Sequence, residues 1–188
     1  MKQKPKTCRV CKTKFTPFSS TTVVCSINCA IKHTEAKNAR LEARRAVIAR
    51  RELKQAKEAI KSRSEWLADA QKIFNKFVRL RDANQPCVSC GKPDHGKRDA
   101  GHFRSVGSAP HLRFHEDNCH GQCVRCNHFL SGNQREYRRG LIAKIGEQAA
   151  EQLEADQTPK HYSIDDIKEI IQTYKAKVKE LERTKNEL

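Results

Sequence analysis

Eight of the nine cysteines fall into two sets of paired ligands. The first set is Cys8-x2-Cys11, thirteen intervening residues, then Cys25-x3-Cys29. The second is Cys87-x2-Cys90, 32 intervening residues, then Cys123-x2-Cys126. Each close pair can clamp one side of a tetrahedral ion, and soft thiolate sulfur suits zinc. In a reducing compartment these cysteines are poor disulfide formers and good metal ligands, so the spacing predicts two structural zinc ions. The ninth, Cys119, reads as a small buried residue. The second set encloses more chain than a minimal ribbon needs. Inside it lie Asp99-Ala-Gly-His102-Phe-Arg104, His111-Leu-Arg-Phe114 and Asn118-Cys-His120-Gly-Gln-Cys123. Such imidazoles, carboxylates and amides can move a proton near neutral pH or coordinate a hard cation. His95, His111 and His115 read as surface or packing groups.

The elements that must position these residues follow from local pattern. Lys12–Phe15 and Thr21–Val24 read as two short strands around a turn at Pro17–Ser20, a knuckle that metal rather than a core must hold folded. Residues 32–61 lack Gly and Pro and are rich in Ala, Arg, Lys, Glu and Leu, which predicts a helix. Leu41, Ile48 and Ile60 sustain no heptad, so no coiled coil is expected. A second helix opens at Ser64, with Trp66, Leu67, Ala70, Ile73, Phe74, Phe77 and Val78 on one packing stripe, and ends near Asn84-Gln-Pro86. Residues 134–155 and 163–186 read as two more helices. The last starts at a capping box, Ser163 to Asp166, and has an apolar face of Ile164, Ile167, Ile170, Ile171, Tyr174, Val178 and Leu181. These helices are expected to pack on the Trp66 helix or on a second subunit. The organisation predicted is a zinc knuckle over 1–31, a basic helical connector over 32–63, and a zinc-stapled domain over 64–188 with its core at 87–133. The fold class is mainly α with small zinc-bound β elements.

Charge is distributed unevenly. Of a formal +16 over 188 residues, residues 1–33 hold seven Lys or Arg and no acid, and residues 34–63 hold ten against four. So +13 lies in the first third, while residues 134–188 balance at eleven and eleven. That asymmetry predicts a sequence-independent contact with polyanion, most simply nucleic-acid phosphate. Arg40, Arg44, Arg45, Arg50 and Arg51 on the basic helix are the candidate backbone contacts, joined by Arg104, Arg113 and Arg125 beside the second cysteine set. With 37% apolar and 32% charged residues the chain is a poor candidate for a neutral small-molecule enzyme with an extensive core. No apolar run reaches membrane-spanning length and no signal region follows the basic start, so a cytoplasmic location is expected.

His102, Asn118 sixteen residues on, and Asn127 directly after the second knuckle together resemble the HNH (ββα-metal) nuclease pattern. In that family CxxC knuckles flank a β-hairpin and the last knuckle leads into a helix. The phage endonuclease VII group, which cuts branched DNA, is similar in placing Asn straight after the last cysteine. Over nearly its full length the chain resembles the lambdoid-phage NinG (Rap) recombination proteins. The strings that carry this are the early Cys-x2-Cys, the basic helix, Asp99-Ala-Gly-His102, Leu112-Arg-Phe114, His120-x-Gln-Cys123 and Cys126-Asn127 to Ser131-Gly-Asn133. The resemblance implies a metal-dependent endonuclease that cleaves branched DNA recombination intermediates such as Holliday junctions and D-loops. If phage-encoded, it would act in the bacterial host cytoplasm.

Phosphodiester hydrolysis needs a deprotonated water, a cation on the scissile phosphate, and orientation of both. The assignment that follows makes His102 the general base, Asn118 its orienting partner, and Asp99 with Asn127 the ligands of a catalytic Mg²⁺ or Mn²⁺. The chain departs from the family at Gly101, where many HNH sites carry Asp or His. If residues 99–103 form a strand, Asp99 and His102 point to opposite faces. A second assignment therefore stands beside the first, with His102 as metal ligand and His120 as base. A symmetric four-way junction would favour a homodimer. A non-catalytic zinc-finger DNA-binding accessory protein would use the same cysteines and charge without needing His102, Asn118 and Asn127 together. A nuclease for linear DNA or for RNA is a further rival, which composition does not separate.

Overall fold

The structure is a computed structural model that describes residues 4–93 and 96–186. His95 lies outside the described residues. The chain divides into two compact units, Met1–Lys61 and Ser62–Leu188.

In the first unit, β1 (Lys6–Thr7) pairs antiparallel with β2 (Lys14–Phe15), with the Cys8–Thr13 turn between them. The strand expected at Thr21–Val24 does not form. Hydroxyls take over its first half: Ser19 Oγ lies 2.9 Å from Thr21 Oγ1 and 3.1 Å from Thr22 Oγ1, closing a turn. Val23 reaches the hairpin region through its carbonyl, which accepts the Arg9 N–H at 3.0 Å. The helix α1 (Ile27–Ala59) starts earlier than its composition suggested, because Ser26 caps it by accepting from the Cys29 N–H. Cys29 thus belongs to both the knuckle and the first turn of α1. This is why the knuckle and the basic helix fall into one unit.

In the second unit, Ser62 and Glu65 form a reciprocal capping box that opens α2 (Arg63–Arg81), slightly before the Ser64 start read from the pattern. The strands β3 (Arg98–His102) and β4 (Cys119–Cys123) make an antiparallel hairpin in which Asp99 faces Gln122 and His102 faces Cys119. A short π-helix follows at Arg125–Phe129. The expected helix over 134–155 is two helices, α3 (Gln134–Ile145) and α4 (Glu147–Ala155), broken at Gly146 with φ 86°. That left-handed conformation suits glycine and ends a helix whatever the periodicity around it. The last helix, α5 (Ile164–Asn186), begins at its capping box: Asp166 N–H donates to Ser163 Oγ at 3.1 Å and Ser163 N–H to Asp166 Oδ2 at 2.8 Å.

Two apolar clusters flank the hairpin. Phe74, Phe77 and Val78 of α2 meet Ile167, Ile171, Tyr174 and Val178 of α5, with Phe114 and Cys119 closing the cluster. The stripe read from sequence on the Trp66 helix is therefore core, and its partner is α5 of the same chain. The second cluster joins Phe103 and Leu112 to Tyr137 and Leu141 of α3 and Leu153 of α4. Each such buried side chain contributes about 1.5–3 kcal/mol of transfer free energy. The hairpin is thus fixed between α2 and α5 on one side and α3 on the other. No helix among the described residues is long and apolar enough to cross a membrane.

Candidate metal site

Both cysteine tetrads converge. Their sulfurs lie within 4.8 Å of one another in each set, with Cys11 Sγ 3.4 Å from Cys25 Sγ and Cys90 Sγ 3.9 Å from Cys123 Sγ. A tetrahedron with Zn–S near 2.3 Å has edges of about 3.8 Å, so both cradles fit structural zinc. In each set one buried cysteine has its thiolate favoured by backbone amides. Burial alone would raise the Cys87 thiol, but N–H groups of Cys123, Cys90 and Ser89 bring it down to about 7. Cys8 is held at about 6, where the amides of Cys11, Val10 and Cys25 outweigh desolvation. Asn133 donates from Nδ2 to Cys126 Sγ at 3.6 Å. It is held there by left-handed turns at Ser131, Gly132 and Asn133, the Ser-Gly-Asn string seen in sequence.

The β3–β4 hairpin sorts the other candidates onto two faces. Asp99, Gly101, His120 and Gln122 share one face, while Ala100, His102 and Cys119 share the other. On the first face, Asp99 meets the π-helix. Asn127 Nδ2 donates to Asp99 Oδ2 at 3.3 Å, and His128 Nε2 lies 3.1 Å from the same oxygen. Gln122, directly across the ladder from Asp99, has a buried Oε1 with no hydrogen-bond partner. That oxygen packs against Gly101 on the same face. Asp99 and Asn127, paired in the sequence reading, are therefore neighbours. His128 was missed there, although it directly follows Asn127. π-Turns of this kind often occur at functional sites.

His102 is on the opposite face from Asp99. Its Nε2 donates to the Arg113 carbonyl at 3.0 Å, and its Nδ1 is 3.7 Å from Cys119 Sγ. Its ring centroid lies 6.2 Å from that of Phe74. Burial lowers its pKa, so the neutral tautomer with hydrogen on Nε2 prevails near pH 7. The Asn118 side chain spends its hydrogen bonds away from this imidazole. It instead staples the intervening loop: its Oδ1 accepts the Arg104 N–H at 2.8 Å, and its Nδ2 donates to the Arg104 and Leu112 carbonyls at 3.0 and 3.2 Å. It therefore acts on His102 only through the loop that carries Arg113. Gly101 is closed to a ligand, since a Cβ there would meet Gln122 Oε1 at 2.2 Å.

His120 is sealed within a charged network. Its Nε2 donates to the Asp117 carbonyl at 3.0 Å, and its Nδ1 faces Arg81 Nη2 at 3.0 Å and Asp82 Oδ2 at 3.6 Å. Arg81 grips Asp82 with two bonds of 2.8 and 3.0 Å, the Gly121 N–H donates to Asp82 at 2.7 Å, and Lys144 adds a charge at 3.5 Å. Burial works to raise the Asp82 carboxyl, but His120, Arg81 and the Gly121 amide hold it far below the usual range. Burial lowers the His120 pKa. The groups that would make His120 a base are thus used to lock α2 and α3 to β4. Periodicity had no means of announcing this network, because its members come from three distant elements.

The arginines divide by role. Arg104 is committed to the carbonyls of Leu153 and Asp156, at 3.0 Å for the first, which ties the loop to the end of α4. Arg113 is half-buried and Arg125 is exposed at the start of the π-helix. Arg40, Arg44, Arg45, Arg50 and Arg51 are all exposed on α1.

The family model described as Bacteriophage Lambda NinG protein matches residues 1–185 of this chain. Among curated proteins, Protein ninG of Escherichia phage lambda is 42% identical over 135 residues, which is 72% of this chain and 66% of the relative. Protein ninG of Salmonella phage P22 is also 42% identical, with the same shares. Protein ninG of Escherichia phage 933W is 41% identical over 72% of this chain and 67% of its own length. The alignment thus spans about two thirds of these relatives. No solved structure matches the chain. By its family match and these identities, the chain belongs to the bacteriophage lambda NinG family.

Proposed function

We propose that the protein is a metal-dependent endonuclease acting on branched DNA recombination intermediates. The observation that carries the reading is the meeting of Asp99 with Asn127 and His128 across the zinc-stapled hairpin and π-helix. This hairpin–helix arrangement resembles the HNH core. Asp99 and Asn127 would hold a divalent cation, which would supply charge neutralisation at a phosphate oxygen and a more acidic water. Asp99 also orients the exposed His128 ring through Nε2, which leaves Nδ1 as the proton acceptor of this reading. His102 is a positioning residue in this reading. It holds the loop from Phe103 to Arg113 against β3, and that loop meets α3 through Phe103 and Tyr137. The preference for branched substrates follows the family resemblance. It is also supported by Phe129, which is 80% exposed directly after His128 and can stack on an unpaired base.

A second reading, a zinc-bound DNA-binding accessory protein without hydrolysis, is favoured by one observation: both ring nitrogens of His102 and of His120 already have protein partners. Cleavage of a synthetic four-way junction and its matched duplex, with Mg²⁺ or Mn²⁺, separates the two. Junction cutting that Asp99→Asn abolishes while binding persists supports the nuclease. Binding without cutting under either ion supports the accessory protein.

A further inference from the structure

The first unit contains a groove that the hydrolase reading does not use. It has a volume of about 790 Å³ and runs between the knuckle turn and one face of α1. Two cations come from the knuckle, Arg9 and Lys12, and four from the helix, Lys32, Lys37, Arg40 and Arg44. Among the described residues no acidic side chain lines it. Lys37, Arg40 and Arg44 recur at helical spacing, so their side chains share one face. From Lys32 to Arg44 the helix rises about 18 Å. One strand of duplex DNA presents a phosphate about every 3.4 Å along the axis, so this length matches roughly five phosphates.

A second observation comes from the backbone. Both knuckles turn in the same way: the N–H of Lys12 donates to the Cys8 carbonyl at 3.1 Å, and the N–H of Gly91 to the Cys87 carbonyl at 2.9 Å. Both residues are left-handed, with φ of 63° and 68°. Glycine takes this conformation without strain, whereas a side chain makes it unfavourable. The first knuckle nevertheless has lysine there, and that lysine lines the groove. Its ammonium donates to the Arg9 carbonyl at 3.1 Å, which fixes it over the turn.

We propose that the knuckle and α1 form one phosphate-tracking clamp, which grips the backbone of duplex DNA in this groove with Lys12 as a strained but functional contact. The zinc of the first tetrad then has a binding role as well as a structural one, since it fixes the Arg9–Lys12 wall opposite the helix. The inference deepens the DNA-directed reading above and rests on it for the choice of polyanion.

The test uses the full zinc-loaded chain and a labelled DNA duplex, with affinity followed between about 50 and 200 mM salt. Lys12→Gly should keep or raise the melting temperature yet weaken binding by about eightfold at 0.1 M salt, and flatten the log–log salt slope by about 0.9. Arg9→Gln with Lys12→Gly should flatten it by about 1.8. Lys54→Gln with Lys57→Gln, on α1 but outside the groove, should leave the slope unchanged. Equal slopes for the wild type and Lys12→Gly overturn the clamp. Equal losses from the groove pair and the Lys54/Lys57 pair also overturn it, because bulk charge would then be enough. Tighter binding of polyglutamate than of duplex would replace DNA with an acidic protein. A wild type that binds with these slopes but never cleaves removes the hydrolase alone and leaves the clamp standing.

Discussion

Replacing Gly140 with alanine sets two effects of known sign against each other. In an open helix interior the change gains about 1 kcal/mol of helix propensity. Gly140, however, is where α3 meets the second zinc knuckle. A Cβ there would fall 1.7 Å from the Val88 carbonyl oxygen and 3.5 Å from Val88 Cγ2. Cβ atoms essentially never approach a neighbour closer than 3.0 Å, so helix and knuckle must separate by roughly 1.3 Å, the difference between those distances. The knuckle cannot yield freely. The Val88 N–H donates to the Gly121 carbonyl at 3.1 Å, and Cys87 N–H to the Lys92 carbonyl at 2.9 Å. Overpacking of this kind costs about 1–3 kcal/mol, and each strained hydrogen bond adds about 1 kcal/mol. The net should be destabilising by about 2–4 kcal/mol, a fall in melting temperature of roughly 6–20 °C. Because Cys87 and Cys90 flank Val88, the second zinc should also be stripped faster by a chelator, while the first is unaffected. Thermal melts and zinc release measured on the two sites read both effects. A melting temperature at or above that of the wild type would refute the close approach of α3 to the knuckle.

Three further predictions concern the second unit. Alanine at Cys87 or Cys126 should release one zinc of two and unfold the hairpin region; a native melt with both zincs retained would contradict the ligand assignment. Asp82→Ala should cost about 3–5 kcal/mol, because it leaves Arg81 without its bidentate partner and orphans the Gly121 amide; a loss under about 1 kcal/mol, as from an exposed pair, would show that the network is not structural. Acid should destabilise the fold. His102 and His120 have pKa values lowered by burial, so the unfolded chain binds more protons below about pH 6.5, and stability falls as pH drops from there through the folded values. Melts from pH 7 to 5 at constant zinc content should show this decline, and His120→Gln should make it shallower; a melting temperature flat with pH would oppose it.

What the sequence made legible were features whose cause is local. Zinc pairing follows from cysteine spacing alone, and the sulfurs converge accordingly. The apolar stripe from Trp66 to Val78 and the capped face from Ile164 to Leu181 found each other as core because both are periodic over several turns. The strand at Thr21–Val24 failed because β-branched residues also carry hydroxyls that close turns. The break at Gly146 was hidden because the helical pattern continues on both sides of it. The site was legible in part. Asp99 and Asn127 come together, while the strand alternation that separates Asp99 from His102 was foreseeable from the pleat. The burial of His120 was not, since Arg81, Asp82 and Lys144 reach it from elements far apart in sequence. His128 could have been found from its place beside Asn127 at a helix start, had the imidazole after the knuckle been weighed along with the amide.

The most direct test of the account is cleavage of a four-way junction by the zinc-loaded protein with Mg²⁺ or Mn²⁺, comparing Asp99→Asn, His128→Ala and His102→Ala with the wild type at equal folding and binding. Cutting is expected from the wild type, with its loss in Asp99→Asn and His128→Ala and its retention in His102→Ala at equal folded fraction. Full activity in Asp99→Asn and His128→Ala, with complete loss in a folded His102→Ala, would contradict it and move the chemistry to the other face of the hairpin.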